Sequence, residues 1–156
     1  NKNIKNIGIS FYDFEVLKKI VAKFKIDVVQ IPYNLVDRRL EKYQNFLIKS
    51  GTKIYIRSIF LQGSLLKRVN HIKKLSSIYE RVEINSKKTK QTNYENCLNF
   101  VLTNKFIDKI IVGVRNIREF KKLINHKYKI KPNNINFSKN EKLFAYRPSL
   151  WKNLNF

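Results

Sequence analysis

The sequence predicts an α/β fold with a parallel sheet, made of four strand-to-helix units in succession. Three observations carry this. Short β-branched runs alternate with segments whose apolar residues recur at helical spacing, the connections between strands are long enough for crossover helices, and no hairpin signal joins two strands.

The first unit runs from Ile4 to Lys25. Ile7, Gly8, Ile9 and Ser10 read as a short strand. Asp13 then caps a helix whose Phe14, Leu17, Ile20, Val21 and Phe24 repeat at helical spacing. The second unit opens on Ile26 to Leu40, IDVVQIPYNLVDRRL, around which the rest is organised. Val28, Val29 and Ile31 suit a strand buried on both faces, as in parallel sheets covered by helices. Gln30 interrupts that run. An amide near the C-terminal end of such a strand needs hydrogen-bond partners, and it is either a satisfied core group or part of a ligand site, because ligands sit at that end. Pro32 and Asn34 turn the chain into a helix with Leu40, Tyr43, Phe46 and Leu47 on one side, and Gly51 suits a left-handed cap after it.

Ile54 to Phe60 reads as the third strand, followed by the loop Leu61-Gln62-Gly63-Ser64, whose glycine permits a turn or a close approach to a ligand. Leu65, Val69, Ile72 and Leu75 then predict a helix. Glu83 to Thr92 reads as a polar, flexible connector, and Tyr94, Cys97, Leu98, Val101 and Leu102 as a second amphipathic helix ending near Asn104. The fourth strand, Lys109 to Val114, runs into Asn116-Ile117-Arg118-Glu119, which has the spacing of a capping box and opens a helix with Ile117, Phe120, Leu123 and Ile124 on its apolar side. After Asn125 the periodicity fails. The expected division is therefore 1–130 for the strand-and-helix units and 131–156 for an irregular tail, containing Pro132, Pro148 and Trp151, packed on them.

Length and composition admit one ordinary domain: 156 residues, 43% apolar and 13% aromatic, argue against disorder. The net charge of +22 raises nucleic acid as a partner. Against it, the chain is rich in Lys, Asn, Ile, Phe and Tyr with only Ala22 and Ala145 as alanines, the bias that A/T-rich codons impose. The cations are also scattered, the densest run being Lys87 to Lys90 in a polar stretch that reads as a loop. No nucleic-acid-binding signature is present, so no specific nucleic acid is expected. The single cysteine, Cys97, lies on an apolar helix face and reads as a small buried hydrophobe, which suits a cytoplasmic protein without disulfides. No apolar run is long enough for a membrane span and no targeting signal is read. His71 and His126 lack metal-ligand spacing, and Tyr12, Tyr33 and Tyr55 read as packing aromatics.

Two closures suit four parallel units. A doubly wound open sheet calls for a glycine-rich phosphate loop such as G-x-G-x-x-G, which is absent. Half of an eight-stranded (β/α) barrel places function at the C-terminal strand ends, and the polar residues fall there: Ser10, Gln30, Arg57 with Ser58, and Arg115.

Those strand ends resemble the C-terminal half of an aldo/keto reductase, a TIM barrel. IGIS is similar to that family's fifth strand, VVQIPYNLVDRR to its sixth, YIRSIFLQGSLL to its seventh and IDKIIVGVRNIREFKKL to its eighth with the helix after it; RPSLW resembles the C-terminal end of one branch. The resemblance implies NADP, with NAD as the other possibility, lying across the barrel mouth and exchanging a hydride with a small carbonyl substrate. It implies that Ser10 and Gln30 hold the carboxamide, that the loop with Phe60, Gln62 and Gly63 lines the pyrophosphate, and that the helix opened by Asn116 receives the adenosine phosphate at its N-terminus, with Arg115 and Arg118 as candidate 2′-phosphate ligands. Three positions depart from the family pattern. Phe11 stands where many members have asparagine, Arg57 where many have a tyrosine stacked on the nicotinamide, and Glu119 where many NADP-binding members have arginine. Arg57 retains a plane that stacks, and Glu119 reads as a cap partner.

The family's catalytic Asp, Tyr, Lys and His belong to strands two to four, which implies that this chain is a fragment with no catalytic residue. Two free sheet edges, at the Ile7 and Ile110 strands, are then expected to leave it poorly stable alone and prone to associate. The alternative reading is a basic binding module that uses a half barrel to engage nucleic acid or another anionic partner.

Overall fold

The computed structural model describes residues 3–127, 135–148 and 151. Four parallel strands form one sheet in chain order: β1 (Gly8–Ser10), β2 (Val28–Pro32), β3 (Lys53–Arg57) and β4 (Lys109–Ile110). Helix α1 (Phe14–Lys23) follows β1. A 3-10 turn (Arg39–Lys42) and α2 (Gln44–Lys49) follow β2, while α3 (Lys73–Lys88) and α4 (Asn93–Leu102) follow β3. α5 (Ile117–Ile124) follows β4, and α6 (Lys139–Ala145) closes the described chain. Sequential parallel order with helices between strands is the arc of a (β/α)8 barrel, here half of one.

Register sorts the sheet into two faces. Ile9 lies beside Val29 and Val29 beside Ile54; Ile31 lies beside Ile56 and Ile56 beside Ile110. This face packs on the helices, and Val29, Ile31, Ile54 and Ile56 are completely buried with Leu17, Leu47, Leu75 and Ile78. The other face carries Ser10, Gln30, Tyr55 and Lys109 in one lateral row. It is only partly covered, so β2 is not buried on both faces as its β-branched run suggests: Val28 and Gln30 are half-buried, because no opposing layer meets them among the described residues.

Local chemistry sets the ends of the elements. The Asp13 carboxylate accepts from the amides of Glu15 (2.9 Å) and Val16 (3.1 Å), and Gly51 takes φ +71° after α2. Phe24, expected on the buried side of α1, is instead its exposed C-cap. The tripeptides Ile26-Asp27-Val28 and Ile107-Asp108-Lys109 lead into β2 and β4 alike. The Asp27 carboxylate accepts from the Ile7 amide (2.8 Å) and the Asp108 carboxylate from the Ile54 amide (2.7 Å), each fastening one strand to its neighbour.

The third unit departs most from expectation. Leu65 to Leu75 is largely loop, with Leu61, Leu65 and Val69 buried as anchors, and the helix begins at Lys73. Glu83 to Lys88 is its last turns rather than a flexible connector, so the Lys87 to Lys90 run straddles a helix C-terminus, where cations suit the dipole. Leu75, Ile78 and Val82, with the small Ser76 and Ser86, form a buried stripe narrow enough to be hidden among polar neighbours. α4 begins at a capping box between Thr92 and Glu95. β4 is shorter than the Lys109 to Val114 run: beyond Ile110 the pairing continues only through the Ile111 amide, which donates to Ile56 (2.8 Å).

Within the C-terminal segment, α6 is a short helix where the lost periodicity gave no sign of one. Lys131 and Pro132 lie outside the described residues. Glu141 caps α6 with Ser138 and joins it to α3, accepting from Ser77 Oγ (2.6 Å) and Arg81 Nε (3.0 Å). Burial alone would raise its pKa, but these bonds and those from Ser138 hold it down at about 2. Cys97 is buried, with its thiol pushed up by desolvation, and no helix among the described residues is long and apolar enough to cross a membrane.

Candidate functional site

Parallel strands present all their C-terminal ends at one edge of the sheet, and the sequence-predicted residues gather there. Ser10 and Gln30 are register partners on the open face, and the Phe11 amide donates to the Gln30 carbonyl (3.1 Å) as the chain leaves β1. Neither the Ser10 hydroxyl nor the Gln30 amide group makes a hydrogen bond among the described residues, so Gln30 is not a satisfied core amide.

Arg57 ends β3 on the same face. Its guanidinium lies 4.2 Å from the centre of the Tyr12 ring, and its Nη1 donates to the Tyr12 hydroxyl (3.0 Å) and to Ser58 Oγ (3.3 Å). Tyr12 is thus an exposed partner of Arg57 and not a packing aromatic. Tyr33 does pack, fully buried against Phe100, its hydroxyl donating to Glu41 (2.8 Å); burial and that contact raise its pKa. Tyr55 lies on the open face beneath the Lys109 ammonium, 5.5 Å from its ring centre.

After Arg57 the backbone makes consecutive tight turns. Ser58 (φ 59°), Leu61 (φ 48°), Gln62 (φ 53°) and Gly63 (φ 85°) occupy the left-handed region, at a cost of roughly 1 kcal/mol or more for each non-glycine. Bonds from Leu61 to Ser58, Gly63 to Phe60 and Ser64 to Leu61 hold the loop, which leaves the Ser58, Phe60 and Gln62 amides without a backbone acceptor among the described residues. Phe60 is stacked on Tyr94 at 5.2 Å. The loop has a second fastening that sequence reasoning missed: buried Asn34 donates to the Ser58 carbonyl (3.0 Å) while its Oδ1 accepts from the Val36 and Asp37 amides (both 2.9 Å). Its signal, an asparagine just after a strand, was read only as a turn.

Arg39, which carries no local sequence signal of a role here, opens the 3-10 turn after β2. It bonds Asp37 through Nε (2.8 Å) and Nη2 (2.7 Å), donates to the Tyr12 carbonyl (3.0 Å), and lies between the rings of Phe14 and Tyr146. It therefore sets the loop that carries Tyr12 and, through Tyr146, ties the C-terminal segment to that loop.

On the far side, Asn116 caps α5 by accepting from the Glu119 amide (2.9 Å). The expected capping box is only half formed, because Glu119 turns to Arg115 instead. Its carboxylate accepts from the Arg115 amide (2.8 Å), Nε (3.2 Å) and Nη2 (2.9 Å). The backbone bond from Arg115, then its side chain, lowers the Glu119 pKa, and the carboxylate stays charged beside the helix N-terminus. Arg118 is exposed and makes no ion pair among the described residues.

This donor set fits a dinucleotide. A hydroxyl and a free amide stand side by side for a carboxamide, a planar guanidinium ends the third strand on the same face, backbone amides without a backbone acceptor follow in a turn, and a helix N-terminus follows the fourth strand, the last two being places where phosphate is held. His126 is engaged elsewhere, with Asn99 (3.0 Å) and edge-on to Tyr94, and no metal-binding group occurs among the described residues.

Residues 3–134 match a family model described as the aldo/keto reductase family. No curated protein matches the chain. Among solved structures, an aldo-keto reductase from Bacillus halodurans is similar in its holo and apo forms, each at 18% identity and TM-score 0.64 over 92% of this chain and 50% of that one. A glycerol dehydrogenase from Gluconobacter oxydans is similar at 14% identity and TM-score 0.58, over 99% of this chain and 52% of that one. The chain thus spans about half the length of the solved structures it matches.

Proposed function

The chain belongs to the aldo/keto reductase family, and we propose that it supplies the cofactor-binding half of an NADP(H)-dependent oxidoreductase acting on small carbonyl compounds or alcohols. In this reading the division between barrel half and packed tail falls after residue 130, the described residues on its two sides being 3–127 and 135–148 with 151. The observation that carries it is the pair Ser10 and Gln30, adjacent in register on the open face and free to bond, with Arg57 on the same face one step further toward the strand ends.

Ser10 and Gln30 would grip the carboxamide and fix which face of the nicotinamide ring meets the substrate. Arg57, held over the Tyr12 ring, would lie along the nicotinamide. The amides of Ser58, Phe60 and Gln62 would receive the pyrophosphate, and the N-terminus of α5 with Arg115 and Arg118 the adenosine phosphate. The bound cofactor supplies or accepts the hydride; the proton donor is a matter for the rest of the barrel, and no residue of this chain is assigned to it. NAD is the second reading, favoured by one observation: Glu119 already neutralises Arg115.

The test is a fluorescence titration of NADPH with wild-type chain and Gln30→Leu. Saturable binding that weakens about tenfold in the variant, as loss of a hydrogen bond to a buried polar group implies, supports the reading. Binding insensitive to Gln30, or none, contradicts it.

A further inference from the structure

Arg57 and Tyr12 meet across a strand. In the sheet order β1-β2-β3, Arg57 ends β3 and Tyr12 lies two residues beyond the end of β1, so their contact passes over the C-terminal end of β2, which separates them. Strand alternation says on which side. Arg57 shares a face with Tyr55, the register partner of Gln30, and Gln30 is the partner of Ser10. The guanidinium therefore stands one step along the strands from the Ser10–Gln30 pair, on the face those two side chains share. It is also fixed there, over the Tyr12 ring at 4.2 Å, with Nη1 donating to the Tyr12 hydroxyl and to Ser58 Oγ. Its charge has no counter-charge of its own: none of the ion pairs among the described residues includes Arg57. The carboxylates around these strand ends are committed elsewhere, Asp13 to the amides of Glu15 and Val16, Asp37 to Arg39 and Glu41 to Arg38.

We propose that Arg57 makes the site discriminate between the two redox forms of its cofactor, holding NADPH more tightly than NADP+. The inference rests on the reading that Ser10 and Gln30 hold the carboxamide, which brings the ring beside this cation. The reduced ring is neutral. When hydride leaves its C4 with both bonding electrons for the carbonyl carbon, whose oxygen then takes a proton, the ring is left with one positive charge. Only that oxidised form is repelled by a neighbouring guanidinium, and repulsion between like charges in contact is screened little by salt. The site then loads with NADPH even where NADP+ is equally abundant, and the oxidised cofactor leaves once the hydride is gone. The dispersed net charge of +22 also prefers the more negative form, but it acts from many exposed places at once and is not tied to any one residue.

Isothermal titration calorimetry of the full chain with NADPH and with NADP+ separates the local charge from the dispersed one. The readout is the ratio of the two dissociation constants. The two ligands differ only in the nicotinamide ring, so a variant's losses of folding or of binding elsewhere divide out. Wild type should bind NADPH at least about tenfold more tightly than NADP+, and Arg57→Gln should bring the ratio close to one. Arg57→Lys, which keeps the charge, should hold the ratio near its wild-type value. So should Arg115→Ala, which removes one charge from the chain at the phosphate-binding end. A wild-type ratio near one, a ratio that Arg57→Gln leaves in place, an equal fall in Arg115→Ala, or an Arg57→Lys that falls as far as Arg57→Gln would each overturn the proposal. In those cases, binding that Gln30→Leu weakens about tenfold leaves the carboxamide reading standing, whereas no binding of either form removes both.

Discussion

The side-chain amide of Asn34 donates a 3.0 Å hydrogen bond to the carbonyl of Ser58, joining the loop after β2 to the loop after β3. Asn34 is buried and its oxygen serves two further amides, so Asn34→Ala strands the Val36 and Asp37 amides and leaves the Ser58 carbonyl to the Leu61 amide alone. The expected cost is roughly 3 kcal/mol, readable as a lowered urea midpoint, with NADPH affinity falling because Ser58 loses its fixed conformation. A variant of unchanged midpoint would show that the two loops hold themselves.

Arg115 and Glu119 predict how the cofactor's 2′-phosphate is treated. Glu119→Gln releases the Arg115 guanidinium and should strengthen NADPH binding relative to NADH. Arg115→Ala should weaken NADPH selectively, by roughly 1.5 to 3 kcal/mol if a charge-assisted bond is lost. Parallel titrations with both cofactors decide it. Equal changes for the two would remove Arg115 from phosphate recognition and leave NAD as the better reading.

Gly63 and Gly113 should respond oppositely to the same substitution. Gly63 sits at φ +85°, so Gly63→Ala should cost about 1 kcal/mol and distort the turn; Gly113 has open space around it and should tolerate alanine with little change. Thermal melts of the pair check this, and equal losses would argue that the loop after β3 is not held in its left-handed form.

Glu141 makes the docking of α6 acid-sensitive. Its folded pKa of about 2 lies below the ordinary 4.5, so its contribution is complete above about pH 4.5 and lost as pH falls toward 2, where the folded carboxylate also takes a proton. The contribution is on the order of 3 kcal/mol. In acid titrations followed by Trp151 fluorescence, Glu141→Gln should lack that limb and be weaker at neutral pH. An acid transition identical in the two chains would move the sensitivity elsewhere.

Much of this was legible in the residues. Val29, Ile31, Ile54 and Ile56 announce strands because β-branched runs have few other uses, and Asp13 and Gly51 mark helix ends by mechanisms that need no tertiary context. The loop after β3 was misread for a physical reason: Leu65, Val69 and Ile72 have helical spacing but are anchors of consecutive turns, while the helix over Lys73–Lys88 buries small serines that a hydrophobic pattern ignores. At the site, residues whose chemistry is intrinsic, such as Gln30 and Arg57, were found. Those that act through a distant partner were not: Asn34 lies 24 residues from Ser58, and Tyr12 lies 45 from Arg57, separations that carry no local signal.

The central proposal is that this chain holds the nicotinamide side of a reductase barrel, with the proton donor on the barrel's other strands. NADPH oxidation with a panel of small aldehydes tests it most directly, using the purified chain by itself and co-expressed with a complementary half barrel that carries Asp, Tyr, Lys and His. A hydride acceptor needs a positioned proton donor, so turnover is expected only with both halves present and should fall sharply when Gln30 is replaced by leucine. Turnover by the isolated chain above the uncatalysed rate, or a joined barrel indifferent to Gln30, would contradict it.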